Sequence, residues 1–169
     1  MNEQPPLLLS NYFVEKLEYE AIPGFNPANP AAEELSVDPD VFLVPDKPHD
    51  FMVRLKVNLA GPPKSNSGSR LHFSLIGFFR VREDVPEKLR QAMVFQNAPS
   101  ILFGIARQIT VEMTGNGPYG KFVLPTVNFL EVMRRKTEAL PGEGSAEFKV
   151  SDKPSTHSPR LRRGKTHES

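Results

Sequence analysis

The sequence predicts an α+β fold: a four-stranded antiparallel sheet with two helices packed on one face. Three observations lead there. Two segments in the first half alternate apolar and polar residues with a period of two, the signature of half-buried strands. A Gly/Pro/Ser-rich turn joins them, which makes them an antiparallel hairpin. The second half carries two apolar segments at helical spacing on either side of a Gly/Pro-rich loop, and strands followed by helices is the α+β order.

Taken in order, a first strand of weaker pattern is expected up to Ala21, with Phe13, Leu17, Tyr19 and Ala21 alternating with Val14, Lys16, Glu18 and Glu20. An Asn/Pro-rich connection follows over 23–33. A short strand is expected within 34–44, around Val37 and 41–44, and Pro39 confines it to a sheet edge because proline cannot donate to a ladder. In the third strand Phe51, Val53, Leu55, Val57 and Leu59 share one face. In the fourth, Leu71, Phe73, Leu75, Phe79 and Val81 do the same.

The first helix is expected to open at Pro99, since a first-turn N–H has no partner to lose. From there Leu102, Ile105, Ala106, Ile109 and Met113 form an apolar stripe. Ile101 and Phe103 widen it, which predicts burial on two sides, against the sheet and against another subunit. Gly115, Gly117 and Pro118 should stop this helix through left-handed capping. Asn128 then caps a second helix, with Phe129, Val132 and Met133 on one face.

A chain of 169 residues holds one domain with a sizeable core, read here as residues 1–140, followed by a Pro/Ser/Gly-rich basic tail over 141–169. There is no cysteine, hence no disulfide or thiolate chemistry. No apolar run approaches the ~20 residues of a membrane span. The Leu7–Leu9 run is too short for a signal-peptide core, so the default expectation is cytoplasmic. Charge is split along the chain. Residues 1–50 hold 2 Lys/Arg against 10 Asp/Glu, whereas residues 51–136 hold 13 against 5. Cross-strand pairing of Glu18 and Glu20 with Arg54, Lys56 or Arg80 is the simplest account of this split.

Catalytic patterns are missing. His49, His72, His157 and His167 are scattered, without the clustered ligands of a zinc site. The Gly115–Gly120 stretch follows a helix and lacks the Lys-Ser/Thr of a phosphate loop. No serine stands in a nucleophile elbow. The chain is expected to be no enzyme and to need no metal or cofactor.

One segment is specific. Ile101, Leu102, Phe103, Ala106 and Arg107, then Leu124, Pro125, Val127, Asn128 and Phe129, resemble the C-terminal half of the SecB family of bacterial chaperones. With the strand order, the resemblance covers roughly residues 7–138. It implies the α+β fold above and an ATP-independent holdase that binds unfolded polypeptides in long apolar grooves. It also implies a homotetramer built as a dimer of dimers. On this chain the implied client-binding positions are Ile22, Phe25, Phe42, Leu43, Tyr119, Phe122, Val123 and Leu124. Taken singly each fits a core, but several fall in expected loops, where exposed apolar side chains need a reason. The implied subunit interface is Ile101, Phe103, Ile105, Ile109 and Met113.

Family members devoted to export dock the motor SecA on an acidic sheet face. Here that face would show Arg54, Lys56, Arg70, Arg80 and Arg82, which argues against SecA as a partner. Solitary relatives serve other clients, such as antitoxins. The alternative reading is a nucleic-acid-binding protein that uses these arginines and the basic tail, with steeply salt-dependent binding.

Overall fold

The computed structural model describes residues 5–30, 34–61 and 68–138. The expected tail over 141–169 and most of the turn before Ser69 lie outside these residues. Four strands come first: β1 (Leu7–Ala21), β2 (Glu34–Leu43), β3 (Asp50–Ala60) and β4 (Ser69–Val81). Two helices follow, α1 (Glu87–Gly115) and α2 (Phe129–Glu138). The sheet is antiparallel in the order β1-β4-β3-β2, so β2 with its Pro39 is an edge strand and the β3–β4 hairpin is central.

The period-two patterns of β3 and β4 place the core as expected. Phe51, Val53, Leu55, Val57 and Leu59 face the helices, as do Leu71, Phe73, Leu75, Phe79 and Val81, and all are buried. Each such side chain contributes about 1.5–3 kcal/mol when removed from water, so this one face supplies the main driving force for folding. α1 lies across it and crosses β4 at Gly77. A Cβ there would stand 2.7 Å from Leu102 Cδ2 and 2.9 Å from Phe79 Cε2, so a side chain at this position would have to displace two buried core residues.

Four local expectations need correction. First, β1 begins at Leu7, and two β-bulges interrupt it, between Leu9 and Asn11 and between Val14 and Lys16. The second changes the side-chain parity: Phe13 lies on the outer face with its ring 6.2 Å from Phe78, while Leu17 and Tyr19 lie on the helix side. A bulge adds one residue on one strand, and one residue moves every later side chain to the other face.

Second, α1 starts at Glu87, and Pro99 sits inside it. Pro86, extended at φ −55° and ψ 139°, opens the helix: its carbonyl accepts from the N–H groups of Leu89 (2.9 Å) and Arg90 (3.2 Å). Pro99 deprives the Phe95 carbonyl of its N–H partner. Asn97 Nδ2 on the Met93 carbonyl (2.9 Å) and Ser100 Oγ on the Gln96 carbonyl (3.3 Å) brace the helix around it.

Third, the buried line of α1 is Val94, Ala98, Leu102, Ala106, Thr110 and Thr114, a strict spacing of four. Two threonines occupy the line where Ile109 and Met113 were expected. Their hydroxyls are satisfied internally, Thr110 Oγ1 donating to the Ala106 carbonyl (2.9 Å) and Thr114 Oγ1 to the Thr110 carbonyl (2.7 Å). Bonding the fourth preceding carbonyl removes the penalty of burying a hydroxyl.

Fourth, the helix does not end in a left-handed residue. Asn116 is right-handed at φ −92°, and short-range bonds from the N–H groups of Asn116 to Met113 O and Gly117 to Thr114 O close the last turn. Gly117 instead leaves room for the Tyr19 hydroxyl, which a Cβ would have to displace. The cap of α2 matches expectation: Asn128 Oδ1 accepts from the Glu131 N–H at 3.3 Å.

Replacing Gly77 with valine should destabilise the fold by about 1–3 kcal/mol or more, as overpacking does. Urea denaturation of the full chain checks this, and an unchanged midpoint would mean that α1 does not press on β4 there.

Candidate functional site

The connection after β1 (Ile22–Pro30) and the loop between the helices (Asn116–Asn128) meet at one end of the sheet and enclose an apolar groove of about 410 Å³. Tyr19, Phe25, Leu35, Leu59, Tyr119 and Phe122 supply its apolar walls. Lys121 stands at the rim, and no ion pair holds its ammonium among the described residues.

The walls are fixed by a few bonds. Thr114, at the end of the buried line of α1, accepts from the Phe122 N–H at 2.8 Å, which ties the loop to the helix that carries it. Tyr119 Oη donates to the Ile22 carbonyl at 2.6 Å and straps the loop to the other connection. The Tyr119 ring meets Phe25 edge-on at 4.9 Å. Phe25 lies over Gly68, where a Cβ would come within 3.3 Å of its ring, and Ile22 N–H donates to the Gly68 carbonyl at 3.0 Å. Gly120, at φ +80°, supplies the left-handed turn between Tyr119 and Phe122. A groove walled by rings, with few polar atoms, suits non-directional contact with side chains of varied shape.

The eight expected client-binding residues separate. Phe25, Tyr119 and Phe122 line the groove, Ile22 receives the Tyr119 hydroxyl, and Val123 is 54% exposed beside them. Leu124 is wholly buried as a member of the core and offers no surface. Phe42 and Leu43 lie at the opposite end of β2, paired with Met52 and Phe51, while the groove takes Leu35 from the near end. Sequence reading missed Tyr19, Leu35 and Leu59, which as strand residues looked like core. What they share is position: Leu35 and Leu59 stand next to a strand end and Tyr19 two residues from one.

Of the expected interface residues, Phe103 is buried inside the subunit, where its ring meets Phe129 of α2 edge-on at 5.5 Å. Ile101, Ile105, Ile109 and Met113 form a second line at a spacing of four, on the side of α1 away from Phe103. Ile101 is 38% exposed. The same side faces β1, whose Tyr12, Val14 and Leu17 are also exposed on the helix side.

The outer sheet face is charge-paired rather than basic. Arg54 meets Glu15 at 2.9 Å, Arg80 meets Asp50 at 2.7 Å, Arg70 meets Glu20 at 3.3 Å, Lys56 meets Asp40 at 3.4 Å and Arg82 meets Asp84 at 2.6 Å. Glu15 occupies the second bulge of β1, which turns it onto this face, where it also accepts from the Ser74 hydroxyl at 2.8 Å. That hydroxyl, then the Arg54 guanidinium, holds the Glu15 carboxyl below its ordinary value. Arg80 does the same for Asp50. Among the described residues no group of three potential metal ligands exists, and no helix is long and apolar enough to cross a membrane.

The sequence matches the family model described as preprotein translocase subunit SecB over residues 2–139. It is 25% identical over 146 residues to the protein-export protein SecB of Parvibaculum lavamentivorans, covering 85% of this chain and 86% of that one. The Sphingopyxis alaskensis protein of the same name is 25% identical over 145 residues, covering 82% and 81%. Among solved structures, the fold is similar to the Mycobacterium tuberculosis Rv1957 SecB-like chaperone, solved in complex with a ChAD peptide from the Rv1956 HigA1 antitoxin. The TM-score is 0.58 at 17% identity, covering 72% of this chain and 91% of that chain.

Thr114→Val should leave the half-buried Phe122 N–H without its acceptor, at about 1–3 kcal/mol. Hydrogen exchange at Phe122 should quicken together with a lower denaturation midpoint, and unchanged exchange would show that the loop is held elsewhere. Acid should also weaken the fold. The folded carboxyls of Glu15 and Asp50 titrate below their ordinary values, so the stability they add is present above the ordinary carboxylate range and is lost as pH falls through the lower folded values. Thermal midpoints at pH 6 and pH 3 measure this, and Glu15→Gln should flatten the difference.

Proposed function

The chain belongs to the SecB family of chaperones, and on that premise we propose that it is an ATP-independent holdase for non-native polypeptides. One observation carries the reading: an apolar groove whose ring-lined walls come from two loops tied to each other and to the core. A client without fixed structure is recognised through apolar side chains and main-chain hydrogen bonds, because its sequence varies. Phe25, Tyr119 and Phe122, with Val123 at the rim, would take its apolar side chains. The Tyr119 hydroxyl bond to Ile22 keeps the groove open before a client arrives, which lowers the ordering cost of binding.

Clients of two kinds fit this reading, exported precursors in a cytoplasmic setting and an aggregation-prone antitoxin. The second draws on the Mycobacterium tuberculosis relative with its antitoxin peptide. The paired charges of the outer face support neither a phosphate track nor an acidic dock for SecA.

The working form would be a tetramer. The line Ile101, Ile105, Ile109 and Met113, together with Tyr12, Val14 and Leu17 of β1, is an apolar surface that a second copy would cover. β1 is also an edge of 15 residues with its outward backbone groups unpaired by any other strand of the sheet.

Phe25→Ala and Phe122→Ala should each weaken suppression of aggregation of a chemically unfolded client, at high and low salt alike, with circular dichroism unchanged. Unfolding of both variants would mark the pair as core and defeat the groove. Light scattering at micromolar concentration should give a tetramer, and Ile109→Asp should reduce its mass. A monomeric parent chain would contradict the interface.

A further inference from the structure

We propose that the groove selects by charge as well as by apolarity: it favours client segments in which an acidic side chain stands beside an apolar one, with Lys121 as the receptor of the carboxylate. The inference rests on the holdase reading and names the class of segment that the same groove holds.

The lysines of the strands and of α2 are all paired. Lys16 meets Glu18 at 3.0 Å, Lys56 meets Asp40 at 3.4 Å, and Lys136 joins Asp38 and Asp40 at the edge of β2. Lys121 differs. It is exposed in the loop that forms one wall of the groove, and no carboxylate among the described residues meets it.

Capping α1 does not account for Lys121 either. Its stem lies along Gly115 at the end of that helix, where a Cβ would come within 3.3 Å of Lys121 Cγ and 3.6 Å of its Cε. A cation in such a place often bonds the last carbonyls of the helix. Here the carbonyls of Glu112, Met113 and Thr114 have other donors. Asn116 Nδ2 donates to Glu112 O at 2.9 Å, and the N–H groups of Asn116 and Gly117 donate to Met113 O and Thr114 O. The ammonium keeps its three N–H donors for an acceptor brought from outside.

Two neutral donors share the groove with it. The Tyr19 hydroxyl lies against Gly117, two residues beyond the glycine that carries the Lys121 stem. The Ser69 hydroxyl lines the wall at the start of β4, on a residue only 8% exposed. Neither hydroxyl bonds to another described residue. The described lining holds no acidic side chain, so its polar groups are an ammonium and hydroxyls set among rings. Such a wall suits a carboxylate, which only accepts, and repels a client ammonium or guanidinium. A single ammonium, without the fork of an arginine, takes one carboxylate oxygen as a point charge. The rings supply most of the affinity, and Lys121 biases the choice between apolar segments of different charge.

The test uses the full chain and two short unstructured peptides. One holds a glutamate beside Phe and Leu, and its twin holds glutamine there. Both are acetylated and amidated, so the side chain has the only carboxylate. By fluorescence anisotropy at low salt, the parent should bind the glutamate peptide about three-fold more tightly, the scale of an exposed ion pair. Screening should shrink that ratio at high salt while both peptides still bind. Lys121→Met should abolish the preference, and Lys121→Glu should invert it. Equal affinities in the parent overturn the selectivity. A preference for glutamate that survives in Lys121→Met overturns the assignment to this residue. If Lys121→Met loses its circular dichroism, Lys121→Glu decides by the same ratio, and unfolding of both makes Lys121 a structural residue and overturns the proposal. Failure of the holdase reading looks different: the parent would bind neither peptide, and the proposal would fall with it.

Discussion

One helix must cover the apolar face of two central strands. That constraint orders the rest of the molecule. The alternating residues of β3 and β4 form a flat apolar surface, and α1 meets it along a single line at a spacing of four from Val94 to Thr114. The line is narrow because its members are small: Ala98, Ala106 and the two threonines stand where larger side chains would lift the helix off the sheet. Gly77 makes the same concession from the β4 side. Ile101, Ile105, Ile109 and Met113 are displaced to one flank, toward β1, and Phe103 to the other, toward α2. One packing choice thus creates both a partly exposed apolar flank and the seat for the second helix.

The groove is a consequence of how that line ends. Thr114 is its last member, and its hydroxyl both closes on the helix and accepts from Phe122, so the loop leaves α1 in a fixed direction. The loop then returns through Leu124 to the core, and the stretch between is held out as a wall. Tyr119 reaches across to Ile22 and draws the β1–β2 connection into the opposite wall. Its walls come mainly from apolar side chains, so the groove is apolar by construction. The charged residues are spent elsewhere, in cross-strand pairs on the outer face and in the Lys136 cluster at the β2 edge.

Much of this was legible in the residues, for reasons that differ by element. β3 and β4 read correctly because each buries one face against one helix, which period two encodes directly. Pro39 located an edge because a missing donor is tolerated inside a regular strand only where no neighbour needs it. β1 read poorly because its bulges shift the parity, and no residue type announces a bulge at Glu15. The start of α1 was misplaced by twelve residues: Pro99 fits a first turn, but Asn97 and Ser100 make it tolerable inside a helix. The threonines of the buried line were hidden for a related reason, since their hydroxyls bond backward and they pack as small apolar groups. At the site, aromatic residues in loops pointed to Phe25, Tyr119 and Phe122. Strand residues Tyr19, Leu35 and Leu59 could not be told from core without the topology. Phe42 and Leu43 were separated from the groove by the length of β2, a distance that no local pattern carries.

The most direct measurement places a photo-reactive side chain at Val123, on the rim of the groove, and in a second protein at Leu89, an equally exposed apolar position on the first turn of α1. Each full-length protein is irradiated with an unfolded client. Binding in the groove predicts cross-links from position 123 that persist at high salt, with little from position 89. Equal yields from both, or a yield at 123 that vanishes with salt, would contradict client binding in the apolar groove.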